Sequence, residues 1–234
     1  MTNKGKLYGI GVGPGDPELI TVKAVRAIKE ADIIFTAASS KNPYSLAVEI
    51  AAPYISPSTR VEILGFPMTK DPEQTDLAWS ENAKKIIQEL DKGGTAVFLT
   101  LGDPMTYSTF GYILKKMNQF MPNANIETIP GITSFHAASA RLNRILVEGE
   151  ESLLLTSGAF GGSRLRNIKE IENIAIVKAY KNIDDINDAL KESGMFDNSV
   201  AVSKCGRENE EILNNLDDLA RRPPDYWTLI LASK

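Results

Sequence analysis

Cysteine and histidine are nearly missing from this chain of 234 residues, with Cys205 and His136 the single instance of each. One thiol cannot close an internal disulfide, and one of each residue leaves too few ligands for a zinc centre of the His and Cys type. No apolar run reaches the roughly 20 residues that a membrane-spanning helix needs. The opening Met1-Thr2-Asn3-Lys4-Gly5-Lys6 passes straight into a strand pattern, without the apolar core of a signal peptide. A cytoplasmic location with no membrane partner is the expectation. Positive charge is also scarce: 26 Lys and Arg stand against 30 Asp and Glu, a formal charge of −4, which disfavours a broad basic face and hence nucleic acid as a partner. Two nucleotide signatures are lacking as well. Pro14 and Asp16 stand where G-x-G-x-x-G requires its third glycine, and no G-x-x-x-x-G-K-[ST] occurs.

What is present is ordinary globular material, 43% hydrophobic and 24% charged, enough for real cores in one large or two modest domains. The most informative stretch is Gly9-Ile10-Gly11-Val12-Gly13-Pro14-Gly15-Asp16-Pro17. Leu7 to Val12 read as an apolar strand, Gly13 and Gly15 allow backbone angles closed to other residues, and Asp16-Pro17 opens a helix. Such a turn exposes bare backbone to a ligand, or serves packing alone. The helical pattern from Ile20 to Ala31 and the strand Asp32 to Thr36 complete a β-α-β unit with parallel strands.

Further along, Val61 to Leu64 read as a strand, Gly65-Phe66-Pro67-Met68 as an apolar loop, Asp76 to Leu90 as a helix, and Thr95 to Thr100 as a strand buried on both faces. That strand runs into Leu101-Gly102-Asp103-Pro104, where Asp103 is either a ligand acceptor or the cap of a helix reaching to about Phe120. Met121-Pro122-Asn123 is the candidate linker, dividing the chain into residues 1–121 and 122–234. Ile126 to Ile129 then lead through Pro130-Gly131 into a helix beginning Thr133-Ser134, whose unpaired N–H groups and hydroxyls offer a second ligand-ready turn. Strand patterns come next at Leu153 to Thr156, Ile174 to Tyr180, Ser199 to Lys204 and Tyr226 to Ala232, with helices expected at Asp184 to Lys191 and Glu208 to Leu219. The fold class is α/β: two α/β domains, a parallel N-terminal sheet and a mixed C-terminal one, with a cleft between them.

The ordered set Gly-Val-Gly-Pro-Gly-Asp at 11–16, Leu-Gly-Asp-Pro at 101–104 and Pro-Gly-Ile-Thr-Ser at 130–134 resembles the tetrapyrrole methylase family over nearly the whole chain. Gly65 to Met68, Phe98 to Pro104 with Tyr107 to Phe110, and Pro130 to Leu142 are similar to the C20-methyltransferases of cobalamin synthesis within it. The resemblance implies S-adenosylmethionine as methyl donor, S-adenosylhomocysteine as product, precorrin-2 or cobalt-factor II as tetrapyrrole substrate, and a homodimer. It implies cofactor contacts at Pro14, Leu101, Gly102, Asp103, Thr106, Thr133, Ser134, Ala179, Tyr180, Cys205, Gly206 and Thr228. Ala179-Tyr180-Lys181 departs from the family, which often has methionine before the lysine.

Methyl transfer from a sulfonium to an enamine-like carbon asks for positioning more than acid or base chemistry. Tyr107, beside the Gly-Asp-Pro turn, is the candidate acceptor of the one proton to be removed. Lys41, Arg141, Arg144, Lys204 and Arg207 are candidates to receive substrate carboxylates, or are ordinary solvated charges. No protein ligand to a metal is expected. Two rivals stay open: an rRNA methyltransferase of the same superfamily, and a module that binds S-adenosylmethionine without turnover.

Overall fold

The computed structural model describes residues 5–39, 45–166 and 170–234. Its contacts divide the chain into two units, Met1–Thr133 and Ser134–Lys234.

The first unit is a parallel sheet of five strands, β1 (Lys6–Gly11), β2 (Ile33–Ser39), β3 (Arg60–Phe66), β4 (Thr95–Thr100) and β5 (Asn125–Ile129), in the order β3-β2-β4-β1-β5. Two helices, α1 (Val22–Lys29) and α2 (Leu46–Ala51), cover one face through Ala24, Ile28, Ile50 and Ala51 against Ile10, Ile34 and Val97. The other face is covered by α3 (Pro72–Asp91) and α4 (Phe110–Phe120), which set Ile86, Leu90, Ile113 and Met117 against Leu7, Phe35 and Phe98. β1 and β4 are neighbours whose next helices leave to opposite faces, and in open α/β sheets ligands bind outside the carboxyl ends of such a strand pair.

Local chemistry accounts for most boundaries. Thr21 caps α1 by accepting from Ala24 N, and Asp71 caps α3 by accepting from Glu73 N and Gln74 N ahead of Pro72. Lys6 of β1 donates to Glu127 of β5 at 2.6 Å and Lys23 of α1 pairs with the same carboxylate; Lys23 first and Lys6 second hold the Glu127 carboxyl down to about 2.

Several expectations change. The unit boundary falls after Thr133 rather than at 121, because β5 pairs along β1 from Lys6↔Asn125 to Ile10↔Ile129 and so belongs to the first sheet. Asp16-Pro17 opens only a single 3-10 turn, Pro17–Leu19, before α1. Gly65 and Phe66 are strand rather than loop, with Phe66 buried edge-on against Phe98. The helix expected after Pro104 starts at Phe110, so Asp103 does not cap it.

The second unit opens with α5 (Ser134–Leu142) and builds a mixed sheet from β6 (Leu153–Ser157), β7 (Asn173–Val177), β8 (Ser199–Ser203), β9 (Glu211–Leu213) and β10 (Thr228–Ser233), ordered β6-β7-β10-β8-β9. Only β6 and β7 pair in parallel. Its core sets α6 (Ile183–Glu192) and α7 (Leu216–Ala220) against the sheet through Ile186, Leu190, Leu216, Ile176 and Ile230. The helix expected over Glu208 to Leu219 is instead β9 and then α7: Glu211 to Leu213 take the open edge of β8, and Asn215 caps α7 by accepting from Asp217 N. Among the described residues no helix is long and apolar enough to cross a membrane.

At the carboxyl edge of the first sheet three backbones meet without side chains between them. A Cβ on Gly11 would stand 2.3 Å from the Gly102 carbonyl oxygen, and one on Gly131 would stand 2.1 Å from the same atom. Gly11→Ala and Gly131→Ala are therefore expected each to lower stability by about 3 kcal/mol. Gly102→Ala meets no atom nearer than 3.9 Å, and is expected to cost only the about 1–2 kcal/mol of its left-handed backbone. Denaturant unfolding of the three variants checks the ranking.

Candidate functional site

The turns after β1, β4 and β5 build the carboxyl edge of the first sheet. Beyond the strands, Val12 N donates to Thr100 O at 3.0 Å, and Gly13 and Gly102 exchange hydrogen bonds, Gly102 N to Gly13 O at 2.8 Å and Gly13 N to Gly102 O at 3.3 Å. Both glycines are left-handed, with φ of 81° and 67°, a conformation that side chains resist. Pro14, the next residue, is buried. Leu101 packs partly on the core beneath. The space beside Gly102 is open except for Ile132 O at 3.9 Å and the Thr133 Cα at 4.0 Å from a Cβ placed there. Pro14, Leu101, Gly102, Asp103, Thr106, Tyr107 and Thr133 are thus gathered on adjoining turns.

Asp103 holds these turns together. One carboxylate oxygen accepts from Met105 N at 2.8 Å and from the Thr106 hydroxyl at 3.3 Å, while the other accepts from Gly131 N at 3.1 Å. The sequence offered two roles for this residue, ligand acceptor and helix cap; the geometry adds a third, a brace between the loop after β4 and the loop after β5. At the base of the same loop the hydroxyls of Thr100 and Ser108 lie 2.7 Å apart, and Ser108 also accepts from Phe110 N at 3.1 Å. Between brace and base Tyr107 stands on a left-handed backbone, φ 50°, with its side chain half exposed.

In the second unit the remaining candidates centre on Thr228. Its carbonyl accepts from Ala179 N at 2.9 Å, and its hydroxyl lies 2.7 Å from that of Ser203, its partner in the sheet register. Tyr180 comes directly after Ala179, while Lys204, Cys205 and Gly206 come after Ser203, so all lie at one end of this sheet. Burial, then Glu210, pushes the Cys205 thiol up to about 12, which keeps it protonated and inert as a nucleophile. Glu210 accepts from Gly206 N at 2.8 Å and from Arg141 Nε at 2.7 Å. Arg141 is exposed, and such a pair is exchanged for another carboxylate at little cost. Lys204 is paired with Asp225 at 3.1 Å, and Arg207 N closes a turn onto Lys204 O at 3.1 Å.

Two substrate candidates are not brought into these groups. Arg144 donates to Asn198 O at 2.7 Å and to the Ser233 hydroxyl at 2.9 Å, at the far end of β10 from Thr228, about 17 Å away at strand rise. Burial lowers its pKa. It serves as a clamp on strand ends rather than as a free anion receptor, a role set by tertiary contacts that spacing does not show. Lys41 lies outside the described residues. Ser134 is the first residue of α5.

Sequence reasoning overlooked Ser108, Ser203, and Gly131 as the partner of Asp103. The available signals were a hydroxyl residue at the end of the apolar strand β8, another in the loop between β4 and α4, and a glycine directly after Pro130. Replacing Asp103 by Asn would turn an amide N–H toward a donor it now accepts from, Gly131 N or Met105 N. Asp103→Asn is expected to lower stability by about 1–3 kcal/mol, the cost of a hydrogen bond left unmade. Thermal or denaturant unfolding that matches the parent protein would remove the brace.

Comparison with known proteins places this architecture. Residues 6–220 match the family of Tetrapyrrole (Corrin/Porphyrin) Methylases. The chain is 31% identical to the cobalt-precorrin-2 C(20)-methyltransferase of Salmonella typhimurium, over 98% of this chain and 97% of that one. It is 35% identical to the probable cobalt-precorrin-2 C(20)-methyltransferase of Methanocaldococcus jannaschii, over 92% and 94%. Among solved structures, the uroporphyrin-III C-methyltransferase of Thermus thermophilus, complexed with S-adenosylhomocysteine, shares the fold at a TM-score of 0.71 and 21% identity, covering 98% of this chain and 92% of that one. With glycine turns joined at the switch point of a parallel sheet and a mixed sheet after it, the chain belongs to the tetrapyrrole methylase family.

Proposed function

We propose that this protein transfers the methyl group of S-adenosylmethionine to C20 of precorrin-2 or its cobalt complex, in cobalamin biosynthesis. The observation that carries the reading is the similarity, along almost the full length of both chains, to the Salmonella C(20)-methyltransferase. S-adenosylhomocysteine in the Thermus relative supports the choice of methyl donor. The donor brings its own leaving group, the neutral thioether that remains when a sulfonium gives up its methyl.

The residues present suit such a ligand. At Gly102 the main chain is bare and open where a Cβ would project, with the Thr133 Cα 4.0 Å from that position and the Thr106 hydroxyl held by Asp103. In this reading Pro14, Leu101, Gly102, Thr106, Thr133 and Ser134 orient the donor, and Asp103 fixes the turns that do so. In the second unit Ala179, Tyr180, Cys205, Gly206 and Thr228 gather at one end of the sheet as further donor-contact candidates, with the protonated Cys205 offering shape rather than chemistry. Tyr107, half exposed on a left-handed backbone, relays the proton released after methylation, its hydroxyl passing its own proton to water as it accepts the new one. Arg141 and Lys204 receive substrate carboxylates by exchanging Glu210 and Asp225, and Arg207 joins them. Most of the rate comes from holding donor and acceptor in line, away from water. The protein works in the cytoplasm as a homodimer, needing neither nucleic acid nor a membrane; a monomer mass in light scattering at micromolar concentration would remove the dimer.

The test is methyl transfer from isotopically labelled S-adenosylmethionine to precorrin-2 and to its cobalt complex in parallel, with the product read by NMR. One labelled methyl at C20 is the expected result, and the faster substrate tells which form is native. Methylation at another carbon, or of neither compound, would overturn the assignment.

A further inference from the structure

In the second sheet β7 and β8 flank β10, and each leads into a lysine on a left-handed backbone, Lys178 at φ 56° and Lys204 at φ 53°. This conformation costs a residue with a side chain about 1–2 kcal/mol, and retained strain of this kind clusters where a side chain has to be aimed. Hydrogen bonds hold both segments against the start of β10, Ala179 N to Thr228 O at 2.9 Å and Lys204 N to Trp227 O at 3.1 Å. Tyr226 and Trp227, just before β10, keep 42% and 40% of their surface exposed. Tyr180 meets Tyr226 edge to face at 5.2 Å, and Tyr226 meets Trp227 in the same way at 5.2 Å. The ammonium of Lys178 lies 5.9 Å from the centre of Tyr226, and that of Lys181 lies 5.2 Å from the centre of Tyr180. An exposed aromatic surface rimmed by ammonium groups has thus been set on rigid strand ends.

We propose that this surface receives the substrate macrocycle, a conjugated polycarboxylate, with Tyr226 and Trp227 against its ring system and Lys178 and Lys181 on its carboxylates. The inference rests on the tetrapyrrole reading and adds residues that none of the glycine turns includes. Charge favours an anion: on a protein of net charge −4, a polycarboxylate gains attraction only where cations are concentrated. The rings favour a conjugated one, since aromatic side chains offer stacking and edge contacts to a flat π-system.

The experiment titrates uroporphyrin III, a stable octacarboxylate tetrapyrrole, by its Soret absorption into the parent protein, Lys178→Gln/Lys181→Gln, Lys181→Gln alone and Trp227→Leu, with calorimetric titration of S-adenosylhomocysteine and a thermal melt on each. The double lysine variant and Trp227→Leu should each weaken porphyrin binding by about tenfold or more, and S-adenosylhomocysteine affinity should stay within about twofold. Unchanged porphyrin affinity in variants that melt like the parent would overturn the surface while leaving the tetrapyrrole reading in place. An equal loss of S-adenosylhomocysteine affinity would overturn it too, reassigning the rings to the cofactor's base. Failure of the parent protein itself to bind porphyrin would count against the functional reading beneath.

Discussion

The carbonyl oxygen of Gly102 occupies the space that a Cβ would need on both Gly11 and Gly131, and the carboxyl edge of the first unit's sheet depends on that contact. Because three main chains touch there, the turns after β1, β4 and β5 are positioned by each other rather than by long side chains. The Gly13 and Gly102 exchange of hydrogen bonds and the Asp103 bond to Gly131 N then lock the arrangement. Backbone placed in this way is rigid and bare.

The second unit is organised by a different device. There Thr228 is the hub, bonding Ala179 through its carbonyl and Ser203 through its hydroxyl. Side chains rather than glycines meet the solvent around it: Tyr180, Tyr226 and Trp227 with lysines at their margin. The two edges thus differ in chemistry, bare backbone in one and aromatic and cationic groups in the other. Neither asks for a thiol nucleophile, in keeping with a Cys205 that burial holds protonated.

Electrostatics shows where residue type alone misleads. Arg141 and Arg144 lie three positions apart near the end of one helix and read alike in sequence, yet the first pairs from the surface with Glu210 while the second is spent on Asn198 and Ser233 at the other end of the sheet. Their partners come from residues 54 to 89 positions away.

By itself the sequence determined the α/β class, the strands Lys6–Gly11 and Thr95–Thr100 to within a residue or two, the three glycine turns, and through their order the family, because apolar periodicity and glycine or proline placement are local properties written in consecutive residues. Only the tertiary structure decided that Asn125–Ile129 joins the first sheet, that Glu211–Leu213 is an edge strand rather than helix, and that Asp103 braces Gly131. Each of these turns on which distant segment supplies the hydrogen-bond partner. A strand is completed by its neighbour and a carboxylate by whichever donor the fold delivers, and neither is visible until the chain has closed on itself.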